Sequence, residues 1–152
     1  MRAKRSKRPY DQLIRTLILD LETFPTQAYV WRLFDENVSL GQIIKPGSVA
    51  SWAAKWHGAG EVEYSSVNMT DYRSMMEAIW ELLDEADEVV TWNGNSFDLK
   101  HLNAAFAVLG MGPPSPYKRI DLMRTVKSQM KFVSNKLDFV SGQFGVGHKM
   151  EH

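Results

Sequence analysis

The feature that most constrains the fold is an apolar run over residues 14–21 that leads directly into two acidic side chains. The run is nearly continuous and has the length of one strand, so it predicts a central strand buried on both faces. Strand side chains alternate between the two faces of a sheet. Asp20 and Glu22 therefore share one face with Ile18, and the leucines between them occupy the other.

The rest of the chain predicts strands first and helices later. Strands are predicted from β-branched and aromatic content between turn residues, and helices from apolar spacing, with Thr70 as a possible cap of the first one. The predicted strands are residues 27–34, 38–44, 49–56, 62–67 and 88–92; the predicted helices are 71–86, 97–109 and 136–144; and 120–126 is a strand that enters a helix. This order indicates an α/β fold, a mixed sheet with antiparallel first strands and a parallel continuation, flanked by helices.

Composition and charge narrow the class of protein. The 152 residues suit one domain, and the absence of cysteine excludes disulfides and thiolate zinc sites, which suits a cytoplasmic protein. No apolar run is long enough to cross a membrane. Five of the 18 positive charges lie in the first eight residues, so residues 1–10 are predicted to be a basic flexible tail. The alternative is an arm for nucleic-acid phosphates.

Two places in the sequence carry candidate metal ligands. Asp20 and Glu22 are two residues apart at the end of the apolar strand, where burial is costly unless a cation compensates. Asp98 falls in the first turn of a predicted helix, just beyond another buried strand. Carboxylate oxygens suit Mg²⁺ or Mn²⁺. The alternatives are solvent-exposed acids at the first place, and at the second an acid favoured by the helix dipole behind an N-capping Ser96.

These residues resemble a known family. Asp20-x-Glu22 followed by Asn93-x-x-x-Phe97-Asp98 is similar to the first two motifs of the DnaQ-like DEDD 3′→5′ exonuclease superfamily, in particular its phage and DNA-polymerase-type branches. The resemblance extends to residues 51–56, 119–122 and 137–140. It implies an RNase H-like exonuclease domain over residues 11–152, C-terminally truncated so that only its N-terminal portion is present and the final helix is missing.

The resemblance also implies roles for individual residues. Asp20, Glu22 and Asp98 would be the catalytic carboxylates and the ligands of two Mg²⁺ or Mn²⁺ ions. The 3′ end of single-stranded DNA or RNA would be the partner, in the cytoplasm, or in the host cytoplasm if the protein is phage-encoded. The residues that would bind this substrate are Thr23, Phe24, Asn93 and Phe97.

The last motif of that family is not found. It consists of Tyr or His, three residues, then Asp, and it provides a base and a fourth carboxylate. Tyr117 and Asp121 have this spacing, but Tyr117 lies in a proline-rich loop and Asp121 at a predicted strand. A structural role for Asp121 is therefore favoured.

Three explanations of the missing motif stay open: a split phage-type enzyme completed by a second, C-terminal polypeptide; a fragment; or a degenerate domain. In each case the chain alone is expected to be inactive or weakly active. The alternative function is a non-catalytic RNase H-like module that binds nucleic acid or a polymerase.

Overall fold

A computed structural model describes residues 13–148 of the chain. The predicted tail at residues 1–10 lies outside this range. The strands are β1 (Thr16–Phe24), β2 (Gln27–Ala28), β3 (Ile43–Lys45), β4 (Ser48–Trp56), β5 (Glu63–Ser66), β6 (Glu88–Thr91) and β7 (Lys118–Asp121). The helices are α1 (Tyr72–Glu85), α2 (Asp98–Val108), α3 (Leu122–Gln129) and α4 (Leu137–Gln143), with a short 3-10 helix at Leu40–Gln42.

Five strands form one mixed sheet in the order β5-β4-β1-β6-β7. The pairs β1–β4 and β4–β5 are antiparallel, whereas β6 runs parallel to both β1 and β7. The expected antiparallel front with a parallel continuation, flanked by helices, is thereby confirmed. Strand β1 lies at the centre because it is the most apolar segment, as a central strand requires.

The core lies on one face of this sheet. The three leucines of β1 are buried there under α1 and α2, and the Trp52 indole Nε1 donates a 2.9 Å hydrogen bond to the Met75 carbonyl of α1. On the opposite face Ile18 is 40% exposed and Asp20 and Glu22 are exposed. The prediction of a strand buried on both faces was therefore wrong, because among residues 13–148 the helices α1 and α2 cover only the leucine face.

The segment between β2 and β3 also differs from the prediction. Residues 27–34 were expected to form a full strand, but only Gln27–Ala28 pairs with β3. The Glu36 carboxylate accepts hydrogen bonds of 2.8 Å from the backbone N–H groups of Trp31 and Arg32. These bonds fold the segment into a loop, and they use donors that a strand would have offered to a neighbour. Residues 38–44 likewise form the 3-10 helix and the start of β3 rather than one strand.

Helix α1 is capped by Asp71 rather than by Thr70. The Asp71 carboxylate accepts a 2.9 Å hydrogen bond from the Ser74 backbone N–H and a 2.6 Å bond from its hydroxyl. Strand β7 runs directly into α3 as expected, and α4 matches the predicted last helix. None of the helices within residues 13–148 has the length and apolarity to cross a bilayer.

Candidate functional site

The candidate site lies at the carboxyl end of the central strand. Strand β6 pairs with β1 only from Thr16 to Ile18, so it has ended before β1 reaches Leu21. The Leu21 backbone N–H donates instead to Oδ1 of Asp98, at 3.1 Å. A side chain from the first turn of α2 thus takes the place of a strand neighbour.

A tight turn after β6 brings Asp98 to this position. Asn93 has a φ of 65°, in the left-handed region that asparagine tolerates. A Cβ at Gly94 would lie 2.2 Å from the Thr91 hydroxyl oxygen, so only glycine fits. Helix α2 then begins at Asp98 with Phe97 as its N-cap residue and no side-chain cap, so the predicted N-cap role of Ser96 was wrong.

Asp121, the last residue of the neighbouring strand β7, stabilises the same turn. Its carboxylate accepts hydrogen bonds from the backbone N–H groups of Asn93 (2.9 Å) and Asn95 (3.3 Å), and from that of Met123 (3.1 Å) at the start of α3. The side chain is 5% exposed. These three contacts favour the structural role for Asp121. Tyr117 is half-buried against the core, and burial raises the pKa of its hydroxyl.

The electrostatics of Asp98 distinguish it from an ordinary helix-start acid. The residue is 3% exposed, and the pKa of its carboxyl is raised from 3.8 to about 6, with burial as the largest cause. The negative charge of Asp20 contributes to this rise, and the hydrogen bonds from the backbone N–H groups of Asp98 and Leu21 oppose it. Asp20 and Asp98 are therefore close enough for their charges to repel, and together they are unfavourable at neutral pH unless a cation is bound.

Glu22 lies on the same face of β1 as Asp20, two residues further along, and it is exposed. On the neighbouring strand β4, Asp20 is paired with Ala53 and Glu22 with Ser51. Both partners are small and leave space above the sheet. Within residues 13–148, no group of three or more His, Asp or Glu side chains lies close enough together to hold a metal ion. The structure thus brings Asp20 and Asp98 together, with Glu22 beside them on the strand.

Of the four residues predicted to bind substrate, two end β1 and two lie in the turn that leads to Asp98. Thr23 follows a β-bulge after Glu22, and Phe24 ends the strand with 44% of its surface exposed. Asn93 is half-buried in the turn. Phe97 is 40% exposed and meets the ring of His101 edge to face, with ring centroids 4.5 Å apart.

A groove beside Asp20 was not predicted. It has a volume of about 240 Å³ on the open face of the sheet, and its apolar lining includes Ile18, Val90, Leu122 and Leu137. No spacing in the sequence identifies it, because its walls come from β1, β6, α3 and α4.

Comparison with known proteins gives three findings. The profile of the RNase H superfamily matches residues 53–151, which include Asp98 but neither Asp20 nor Glu22. A family B DNA polymerase from the hyperthermophilic archaeon Pyrobaculum calidifontis has a similar structure, with a TM-score of 0.67 and 19% sequence identity over 93% of this chain. The chain covers 20% of that polymerase, and no curated protein matches its sequence. The identity is low enough that the likeness concerns the fold alone.

Proposed function

The chain belongs to the RNase H superfamily, and on that premise we propose that it is a metal-dependent 3′→5′ exonuclease domain. The observation that carries this proposal is the buried carboxyl of Asp98 beside Asp20, at the carboxyl end of the central strand. Ligand sites of α/β folds form at such strand ends. The resemblance of the two motifs to DnaQ-like DEDD exonucleases supports the same reaction.

The donor set fits the metal ions of such a reaction. Asp20, Glu22 and Asp98 offer only carboxylate oxygens, the ligands that Mg²⁺ and Mn²⁺ prefer. A cation beside Asp98 would lower the pKa of its carboxyl and relieve its repulsion with Asp20. Two ions bound there would supply an activated water and stabilise the leaving 3′ oxygen.

The chain's own residues would orient the terminal nucleotide. Phe24, two residues after Glu22, and Phe97, directly before Asp98, present partly exposed rings, which suits stacking on bases. Thr23 would offer its backbone beside them, and Asn93 would shape the pocket. Stacking of this kind favours a single-stranded 3′ end, of DNA or RNA, over a duplex.

We propose in addition that a second polypeptide covers the open face of the sheet and supplies the base and fourth carboxylate. The groove beside Asp20 and the 40% exposure of Ile18 support this, since β1 pairs in parallel with β6 and parallel strands are ordinarily covered on both faces. A polypeptide with Tyr or His, three residues, then Asp on a helix should form a complex with the chain and restore release of mononucleotides. Absence of both the complex and the activity would refute this part.

Metal binding tests the proposal directly. Calorimetric titration with Mn²⁺ should show binding to the parent protein, and Asp20→Asn combined with Glu22→Gln should weaken it at least tenfold. The matched control is Glu61→Gln combined with Glu63→Gln, which removes two exposed carboxylates near β5. Equal Mn²⁺ affinity in the two double variants would show that the carboxylates of β1 are not ligands.

A non-catalytic module that binds nucleic acid or a polymerase is the second candidate. The observation that favours it is the absence of a three-group metal cluster within residues 13–148. The two functions can be distinguished by whether the binding of nucleic acid depends on a metal ion. A non-catalytic module should bind a single-stranded oligonucleotide equally well in EDTA and in Mn²⁺, whereas the proposed exonuclease domain should bind it more tightly in Mn²⁺.

A further inference from the structure

A second groove lies on the helix-covered side of the sheet, between α2 and the turn that joins β3 to β4. We call it the hairpin groove; its volume is about 460 Å³. Its floor is apolar, with Val49 of β4 and Ala105 of α2. One wall is the turn from Lys45 to Ser48, and the other is the face of α2 that carries His101 and Ala104.

Each wall contacts one of the residues proposed to bind the terminal nucleotide. The turn packs on the end of β1: the Phe24 carbonyl oxygen lies 2.8 Å from where a Cβ on Gly47 would stand, and the Gly47 N–H donates to the Thr26 hydroxyl at 3.0 Å. On the other side, the ring of His101 contacts the ring of Phe97. The two walls of the hairpin groove are therefore in contact with Phe24 and with Phe97.

The chemistry of the groove suits one nucleotide unit. Lys45 and His101 are the basic residues of its lining, and none of the lining residues is acidic. Apart from His101, the lining side chains of the floor and of α2 are small or aliphatic, and Tyr72 adds an aromatic ring. A cation at the rim of an apolar cleft complements an anionic phosphate attached to a base that stacks on nonpolar surface.

We propose that the hairpin groove binds the nucleotide next to the terminal one, on its 5′ side, in a single-stranded 3′ end. Lys45 contacts the phosphate, and the base lies over Val49 and Ala105 beside His101. This inference rests on the proposed exonuclease function, because it takes the terminal nucleotide to lie between Phe24 and Phe97.

Filling the groove tests the inference. Ala104→Phe places a ring in the hairpin groove, whereas Ala107→Phe places the same ring on the exposed surface of α2 outside the groove lining. Two probes are titrated in Mn²⁺ by calorimetry: thymidine monophosphate, and a five-residue oligothymidylate whose phosphorothioate linkages resist hydrolysis. Thermal unfolding checks that both variants fold, which their exposed positions favour.

Ala104→Phe should weaken oligonucleotide binding about tenfold, the worth of one stacked base, and should leave monophosphate binding unchanged. Ala107→Phe should change neither. Lys45→Ala should lower the slope of log affinity against log salt by about 0.7, as expected for one lost phosphate contact on a single strand. Lys131→Ala, which removes an exposed lysine outside the groove lining, should leave this slope unchanged.

The failures of the two proposals are distinguishable. If the parent binds the monophosphate, and Ala104→Phe and Ala107→Phe bind the oligonucleotide equally, the hairpin groove is not a nucleotide site and the terminal site stands. If the parent binds neither probe, the proposed function fails and this inference fails with it.

Discussion

The buried carboxyl of Asp98 makes a prediction about stability that needs no assumption on activity. The pKa of this group is 3.8 ordinarily and about 6 in the folded protein, so the folded state holds its proton more tightly than the unfolded state does. Unfolding free energy therefore falls as pH rises from about 4 to about 6, and the loss is complete above pH 6. The shift corresponds to about 3 kcal/mol at most.

Asp98→Asn should remove this loss. The amide oxygen of asparagine can still accept the hydrogen bond from the Leu21 N–H, but the residue cannot ionise. In metal-free buffer, the stability of the variant relative to the parent should rise by up to about 3 kcal/mol between pH 4 and pH 7.5. Urea unfolding at several pH values in EDTA measures this difference, and Asp35→Asn, at an exposed turn position, is the matched control.

Adding Mn²⁺ at pH 7.5 should cancel most of the stability that the variant gains over the parent. A cation that binds the folded parent at a hundred times its Kd stabilises it by about 2.7 kcal/mol, and Asp98→Asn should gain much less. A variant whose stability follows the same pH dependence as the parent in EDTA would refute the assignment of a buried, charge-repelled carboxyl to Asp98.

Three further predictions concern the scaffold and are measured by urea or thermal unfolding. Gly94→Ala should destabilise the protein by at least about 2 kcal/mol, because its methyl group would overlap the neighbouring threonine side chain, whereas Gly60→Ala, with open space around it, should change little. Asp121→Ala should cost about 2–4 kcal/mol, since it leaves three backbone N–H groups without their acceptor; a cost below 1 kcal/mol would contradict its role in the turn. Leu19→Ala should cost about 2–5 kcal/mol and Ile18→Ala under about 1 kcal/mol, and equal costs would show that both faces of the strand are covered.

The central strand and the approach of Asp98 to it could be predicted from the sequence. Alternation along residues 16–22 depends only on strand geometry, and the structure shows it residue by residue. Parallel strands bring their carboxyl ends to one edge of the sheet, so an acid just after a strand parallel to and beside β1 is expected to approach the acids that end β1. The Coulombic effect of Asp20 on the pKa of Asp98 agrees with that expectation.

The features that sequence reasoning missed depend on tertiary partners. Residues 27–34 have strand-like composition, but the Glu36 carboxylate binds the backbone that a strand would use. The position of Asp121 directly before α3 could suggest a helix cap. Its hydrogen bond from the Asn93 backbone N–H, however, links residues 28 positions apart in the sequence. Burial of one face alone depends on where helices pack, which the apolar run of β1 does not encode.

The position of Asp98 also separates what the fold requires from what function requires. Because β6 ends early, the Leu21 N–H needs an acceptor from α2. Asparagine or serine would satisfy this need without charge. The fold alone therefore does not explain a carboxylate that is 3% exposed and lies near the negative charge of Asp20. Such local costs are expected at functional sites, and a bound divalent cation is the simplest partner that would turn this repulsion into attraction.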